Sequence, residues 1–589
     1  MKGKVRILAA ALIIIVLGSL LSYGIDTSFG TVKTQRLQLM DDDGYNVSAN
    51  LYVPDSASVA PAPAMIICPG GDCPSDIASP WATELARRGY VVAVVDYSGC
   101  GDTEVNPAQQ YWTNNGSMEL DTIYDYLATL AFVDSDQIGV GGHSMGSLYS
   151  YRLSTKRPVS LVISDVIYND ALPEYDFNFV QISAEHDEGI LARLTDFDEI
   201  YQDEFLTAVF GTDIIEPNKL YGSWEDRTAR IFYPLNHTHQ DDMISGPIIR
   251  LEVQSVMNSM EAPNPISEND LIYGWKVVGL AAAIIGLVMF LFSLAGILLD
   301  SSLFSSLKLK AEQAPAGFAY KSKGWWICAL ILTLIPLAFF FPGTAVGNKL
   351  SSNRLFQLGT TPNGYVVWTL FSAVGLLVFF LIYHFKFGKK QGGSLSTYGF
   401  SCADNENKFQ LSYLVKSAVF AGILFMSAYF ILLLIYRYSN TDLHIWTLSI
   451  RPFSPQRAAA LPWYFLVLLP YFSLFLLAGN CLKFKDDITQ GKGLVKSVLI
   501  GTIVGLVGMT ALFVVYQVIL RFDKPFYTGH FAHFYMDLLS NVIPQFGVAT
   551  ALALYIRRKT NSFYAGIMIG AAIIAFCMVS TNCLAMMIS

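Results

Sequence analysis

Gln137-Ile-Gly-Val-Gly-Gly-His-Ser-Met-Gly146 decides the reading of this chain. A short apolar strand runs into Gly-x-Ser-x-Gly, and Met145 to Lys156 behind it suits a helix. A serine hydroxyl is a poor nucleophile unless it is exposed on a tight turn beside a base. Small residues two positions to either side let the backbone turn that sharply. Gly142 and Gly146 occupy those positions, which makes Ser144 the candidate nucleophile. Five residues alone are a weak signal, and their meaning depends on what surrounds them.

Working outward, Thr34 to Met40 and Tyr45 to Val53 carry strand patterns joined by Asp41-Asp42-Asp43-Gly44, a hairpin signature. Ala64 to Cys68 and Tyr90 to Val95 are apolar on both faces, as buried parallel strands are. Trp81 to Arg88 and Met118 to Phe132 read as helices between strands. Val159 to Ser164, Phe179 to Ser183 and Ala229 to Tyr233 read as further strands, and Pro247 to Met260 as a closing helix. This alternation predicts an α/β fold with a doubly wound, mostly parallel sheet, whose chemistry belongs at the carboxyl ends of the strands.

The chain has 589 residues and a mean hydropathy of +0.42, too long for one domain and too apolar for a purely soluble protein. Residues 26–270 hold 38 Asp and Glu against 12 Lys and Arg, whereas residues 271–589 hold 9 against 24. So acidic a first half repels phosphate-rich partners, which argues against nucleic acid. Apolar stretches long enough to cross a ~30 Å hydrocarbon core fall near 277–299, 325–342, 365–385, 413–436, 460–481, 496–520, 534–556 and 563–587. Ile7 to Leu21 follows Lys2, Lys4 and Arg6; with no clear small-x-small cleavage site after it, it reads as an uncleaved anchor rather than a signal peptide.

Lys and Arg cluster in alternate loops, among them Lys308 to Lys323, Lys386 to Lys408, Lys483 to Lys492 and Arg557 to Lys559. By the positive-inside rule these loops are cytoplasmic. The expected organisation is a transmembrane anchor at 1–25, an extracytoplasmic catalytic domain at 26–262, and a Pro-containing linker at 263–274. A membrane domain of about eight transmembrane helices follows at 275–589, in a multi-pass protein of the plasma membrane. Of the cysteines, Cys68, Cys73 and Cys100 fall outside the membrane; Cys73 and Cys100 either meet or remain buried thiols.

Residues 26–262 resemble an α/β-hydrolase. The resemblance rests on Leu51-Tyr-Val-Pro54, Pro69-Gly-Gly71, Arg87-Arg-Gly-Tyr-Val-Val-Ala-Val-Val-Asp-Tyr-Ser-Gly99 and Gly142-His-Ser-Met-Gly146, taken jointly. It implies the chain order nucleophile, acid, His. The acid is then expected where Val180-Gln-Ile-Ser-Ala-Glu-His-Asp187 ends, which selects Asp187, with Glu185, Asp165 and Asp170 as alternatives. Tyr233-Pro-Leu-Asn-His-Thr-His-Gln-Asp-Asp242 offers His237 and His239 for the base. His239 is preferred because Thr-His-Gln-x-Asp resembles the His-Gln loops of secreted phospholipase-like members of the fold. Two backbone donors for an oxyanion are expected from Gly71 and Met145.

The expected chemistry is hydrolysis of a carboxylic ester or thioester on a small-molecule or lipid-like acyl substrate, with membrane lipid as a neighbour and no cofactor or metal. An acyltransferase with the same triad, and a transporter or sensor with a non-catalytic ectodomain, are the alternatives. The short gap between the sixth and seventh strands admits no large cap, and Leu194 to Phe210 reads either as a small lid or as a packing helix. His530 and His533, one helical turn apart, suit a metal or proton site or an interfacial belt.

Overall fold

The computed structural model describes residues 2–106, 117, 119–166, 176–194, 196–242, 244–308, 317–350, 352–353, 355–401, 410–440, 442–446, 448–522 and 532–584. The chain begins with α1 (Lys2–Asp26), then β1 (Val32–Met40), β2 (Asn46–Pro54), β3 (Ala62–Cys68), α2 (Ser79–Arg87), β4 (Val91–Asp96), α3 (Leu120–Ala128), β5 (Val133–His143) and α4 (Met145–Ser154). It continues through β6 (Leu161–Asp165), β7 (Asn178–Ala184), α5 (Glu188–Leu191), α6 (Glu204–Phe210), β8 (Arg230–Leu235) and α7 (Gly246–Ser259).

The eight strands form one sheet in the order β1-β2-β4-β3-β5-β6-β7-β8. β1 and β2 form the expected antiparallel hairpin, β2 runs antiparallel to β4, and the remaining neighbours are parallel. Every residue of β3 and β4 is buried because helices cover both faces. Met65 and Ile67 with Val92 and Val94 pack against Trp81 and Leu85 of α2 and Ile248 and Val253 of α7. The alternate residues Ala64 and Ile66, with Val91 and Val95, join Leu120 and Ile123 of α3 and Leu153 of α4. A period of two along each strand thus feeds two separate cores.

Leu194 to Phe210 does not form one helix. It breaks into a turn at Phe197–Gln202 and α6, and sinks Ile200, Leu206 and Phe210 into the second of these cores, so it packs on the sheet.

Helices dominate the rest: α8 (Tyr273–Asp300), α9 (Lys323–Gly347), α10 (Thr360–Tyr383), α11 (Leu411–Ser439), α12 (Pro455–Ala478), α13 (Gly491–Leu520), α14 (Ala532–Asp537), α15 (Leu539–Thr560) and α16 (Tyr564–Thr581). Among the described residues nine helices, α1 included, are long and apolar enough to cross a membrane. Ile13, Leu17, Ile285, Leu330, Val374 and Phe430 stand exposed on them, a surface suited to hydrocarbon. α1 lies along α8 at backbone contact: a Cβ on Gly18 would overlap the Gly279 carbonyl.

Contacts with the sheet half all fall at one end of this bundle. They come from the C-terminal ends of α1 (Asp26) and α11 (Tyr436) and from residues just past α13 (Arg521) and α16 (Cys583). They also come from the N-terminal ends of α8 (Lys276), α12 (Arg457) and α15 (Ser540). That alternation is what a chain crossing back and forth requires. Arg451 is fully buried between the halves, 2.7 Å from Asp102 and 3.5 Å from both Asp76 and Asp96. Burial works against the Asp102 charge, yet Arg451 and Arg36 hold its carboxyl down at about 2.

One expectation about cysteines needs correcting. Cys100 does not meet Cys73, which stays a buried free thiol; it forms a disulfide with Cys583, 483 residues away. The apolar stretch 563–587 conceals this, because the helix stops at Thr581. Arg457 donates to the Val579 and Asn582 carbonyls there at 2.6 Å each, and Asn582 is already extended.

Candidate active site

Ser144 is placed by β5 and α4. The residue adopts φ 55°, ψ −123°, a conformation that L side chains rarely take, and α4 starts at the next position. Such strain costs roughly 1–3 kcal/mol and persists only where surrounding structure imposes it. Here the imposition is steric: a Cβ on Gly142 would overlap the Gly146 carbonyl, and one on Gly146 would overlap the Cys68 carbonyl of β3. The Ser144 N–H donates to the Asp165 carbonyl at 2.7 Å, which ties the turn to β6. Met145, as the first residue of α4, has a backbone N–H with no intrahelical partner. Gly71 lies beside it, since a Cβ built there would sit 3.9 Å from the Met145 side chain.

Asp187 follows β7 and caps α5. Its Oδ1 accepts from the Gly189 and Ile190 N–H groups at 2.7 and 2.9 Å, and its Oδ2 accepts from His239 Nδ1 at 2.6 Å. His239, in the loop after β8, turns its Nε2 to Ser144 Oγ at 3.0 Å. The structure therefore brings Ser144, His239 and Asp187 into one hydrogen-bonded row. Asp187 and its side chain are fully buried, and Ser144 is 6% exposed.

The alternatives make other contacts. His237 bonds Ser245 Oγ at 2.6 Å through Nε2. Glu185 is half-buried on the chain just past β7, where its N–H donates to the Leu235 carbonyl. Asp165 Oδ1 has no hydrogen-bond partner. Asp170 and His530 are outside the described residues, as is the His533 side chain.

Two histidines meet in the site, and the second lies inside the Gly-x-Ser-x-Gly motif itself. His143 packs against His239 with ring centroids 4.7 Å apart, and its Nε2 lies 3.1 Å from the His239 carbonyl. A carbonyl only accepts, so Nε2 carries the proton. Burial, together with the adjacent His239, pushes His143 down to about 3, which leaves it neutral. Burial alone would also depress His239, but the attraction and hydrogen bond of Asp187 outweigh it and raise the imidazole to about 9.

Buried carboxyl groups crowd this region, and their environments separate them. Burial opposes the charge of Asp187 too, yet His239 and two backbone donors hold it below its ordinary value. Burial raises Asp165 to about 8 and lifts Glu188 and Asp242 well above the carboxylate range. One charged acid among neutral ones is the pattern that assigns roles to otherwise similar groups. Asp165, Asp242 and Glu252 line a small cavity behind His143. His143, His239 and Asp242 also offer ligand atoms within 4.8 Å of one another. Both ring nitrogens of His239 are engaged by Asp187 and Ser144, which leaves no lone pair there for an ion in this arrangement.

Residues 78–160, from α2 past the Ser144 elbow, match the prolyl oligopeptidase family. The chain carries an α/β-hydrolase domain. Over 82 residues it is 32% identical to the uncharacterized protein YcjY of Escherichia coli (strain K12), a span of 14% of this chain and 27% of that protein. The match thus spans about a quarter of the curated relative's length. Among solved structures, the α/β-hydrolase GrgF from Penicillium sp. sh18 is 12% identical, with 39% of this chain and 99% of that one covered at a TM-score of 0.29. The Pyrococcus furiosus esterase Pf2001 is 12% identical, with 40% and 96% covered at a TM-score of 0.29.

Proposed function

We propose that this hydrolase is a membrane-bound serine enzyme that cleaves a carboxylic ester or thioester through Ser144, His239 and Asp187. The observation that carries the reading is the continuous row from Asp187 through His239 to a serine on a strained elbow. His239 Nε2 takes the hydroxyl proton as Ser144 Oγ attacks the carbonyl carbon. Asp187 stabilises the resulting imidazolium, and the Met145 and Gly71 N–H groups receive the oxyanion. Collapse breaks the bond to the alcohol or thiol, which leaves with the proton from His239. Water then gives a proton to His239 and attacks the acyl carbon; Ser144 regains its proton as the acid departs.

The same reading divides the chain into an anchor at 1–25, the catalytic domain at 26–262, a linker at 263–274 and the membrane domain at 275–589. It places the catalytic domain outside the cytoplasm in a plasma membrane. The lysine-rich alternate loops support that side, and so does the Cys100–Cys583 disulfide, since such bonds persist in oxidising compartments. The prolyl oligopeptidase match favours a second reading, amide cleavage in peptides, because the same triad attacks both bonds.

A fluorophosphonate tests the nucleophile: the wild-type chain should be labelled and Ser144→Ala should not, and labelling independent of Ser144 would sink the proposal. Steady-state rates on matched ester and prolyl-amide substrates decide between the bonds. His239→Ala should abolish turnover and His237→Ala retain most of it; the reverse would reassign the base.

A further inference from the structure

The sheet edge that carries the site is turned onto the end of the helical bundle, and all three site loops face it, two of them through hydrogen bonds. After β3, Asp72, next to Gly71, accepts from the Cys583 N–H at 3.3 Å. After β7, Glu188, next to Asp187, is 1% exposed and faces the Asp537 carboxyl at the end of α14. After β8, the Gln240 carbonyl accepts from the Trp446 indole N–H at 2.6 Å, and its side-chain oxygen from the Ser540 hydroxyl at 2.7 Å. The Arg521 guanidinium donates to Asp241 at 3.3 Å. The helices are therefore the roof of the Ser144 site among the described residues.

That roof cannot lift away. The Cys100–Cys583 disulfide joins the halves covalently. Arg457, fully buried, donates to the Gly99 and Gly101 carbonyls at 2.9 and 2.8 Å while holding the end of α16. Removing such groups from their partners would strand buried charge. An apolar contact also crosses the seam close to the site. Leu191, at the end of α5 and close to Asp187, packs on the bundle core that contains Tyr516, Leu520, Met536 and Leu539. Tyr516 lies within electrostatic reach of Glu188 and Asp187.

We infer that the substrate of Ser144 is a bilayer-resident amphiphile, a long-chain acyl ester or thioester that enters sideways along this seam. The inference rests on the serine-hydrolase reading given above. The alkyl chain lies against the bundle, and the carbonyl reaches the polar end, where Ser144 and the Gly71 and Met145 N–H groups meet it. A short-chain ester gains nothing from the apolar wall. A long chain is already concentrated in the bilayer in proportion to its buried CH2 groups.

The test uses the full chain in nanodiscs of ether-linked phosphatidylcholine, a lipid with no ester to compete. The probe is a fluorophosphonate with a hexadecyl chain ending in a diazirine. Ser144 Oγ displaces fluoride at phosphorus and its proton passes to His239; irradiation then expels nitrogen and the carbene inserts where the tail lies. Adducts should map to α9, α10, α13 or α15. Adducts confined to 188–227, or a tail quenched by water, would overturn the inference while leaving the nucleophile intact. Failure to label Ser144 at all would overturn both. In the same nanodiscs a hexadecanoyl ester should show at least a tenfold higher kcat/KM than its acetyl counterpart, and an equal or faster acetyl ester would also overturn the inference.

Discussion

At the sheet edge His239 stands 3.0 Å from Ser144 Oγ and 2.6 Å from Asp187; where the two halves join, His444 stands 3.3 Å from Ser79 Oγ and 2.7 Å from Asp442. Residue types and distances nearly coincide, and the surroundings do not. Ser144 sits at positive φ, and the residue after it offers an N–H with no intrahelical partner. Ser79 opens α2 in ordinary helical backbone, and the residue after it is Pro80, which has no N–H to give an oxyanion. Its hydroxyl already accepts from Lys276 Nζ at 2.6 Å, and the residue is fully buried. Three side chains in a row do not by themselves make a nucleophile; the role proposed for Ser144 rests on the elbow and the donor beside it.

The largest test of that contrast is paired removal of the two hydroxyls. Ser144→Ala should lower ester kcat by about 10⁶-fold, whereas Ser79→Ala should leave kcat/KM essentially unchanged; similar losses would erase the distinction. Next come the acids. Asp187→Asn forces the wrong imidazole tautomer and should cost about 10⁴-fold in kcat. Asp442→Asn should leave kcat in place and lower the thermal midpoint instead.

Third, Lys276→Met removes the cation that lies 2.7 Å from Asp26, both nearly fully buried. An uncompensated buried carboxylate should destabilise the folded chain by about 3–5 kcal/mol, read from denaturant unfolding in detergent. Adding Asp26→Asn should recover part of the loss, and no recovery would show that the pair is not the cause.

The smallest effect is in pH. Asp187 raises His239 to about 9. Only the unprotonated ring acts as base, so activity is lost as pH falls through that value and regained above it. The acid limb of kcat/KM should therefore lie well above the 6.5 of a free imidazole. Ser79→Ala should keep the same limb, and a limb at 6.5 or below would mean that Asp187 does not hold the charge.

Much of this was legible because it is local. Strands buried on both faces leave continuous apolar runs, and the elbow writes its steric needs as Gly142 and Gly146. Asp187 and His239 stand out as candidates because each follows a strand. Yet His237 sits in the same loop, and only the loop's path decides which ring faces Ser144. His143 passed as the variable residue of the motif, since its partner is a backbone carbonyl far along the chain. Arg451 and Arg457 lie in no motif, and nothing local says that three aspartates and a set of carbonyls await them. Cys583 was hidden because hydropathy continues past the point where the helix stops. Long-range polar pairing leaves no period in a sequence.

The Cys100–Cys583 bond also has a consequence for biosynthesis. Cys100 is translated before eight of the nine long helices, and Cys583 only after the ninth. The sheet can form as soon as it emerges, as amino-terminal domains do, but the edge that carries Ser144 is fully covered only after α16 has been made. The chain thus acquires its covered form only when translation of the bundle is finished. A product terminated before residue 583 would lack this bond and keep Cys100 as an unpaired thiol.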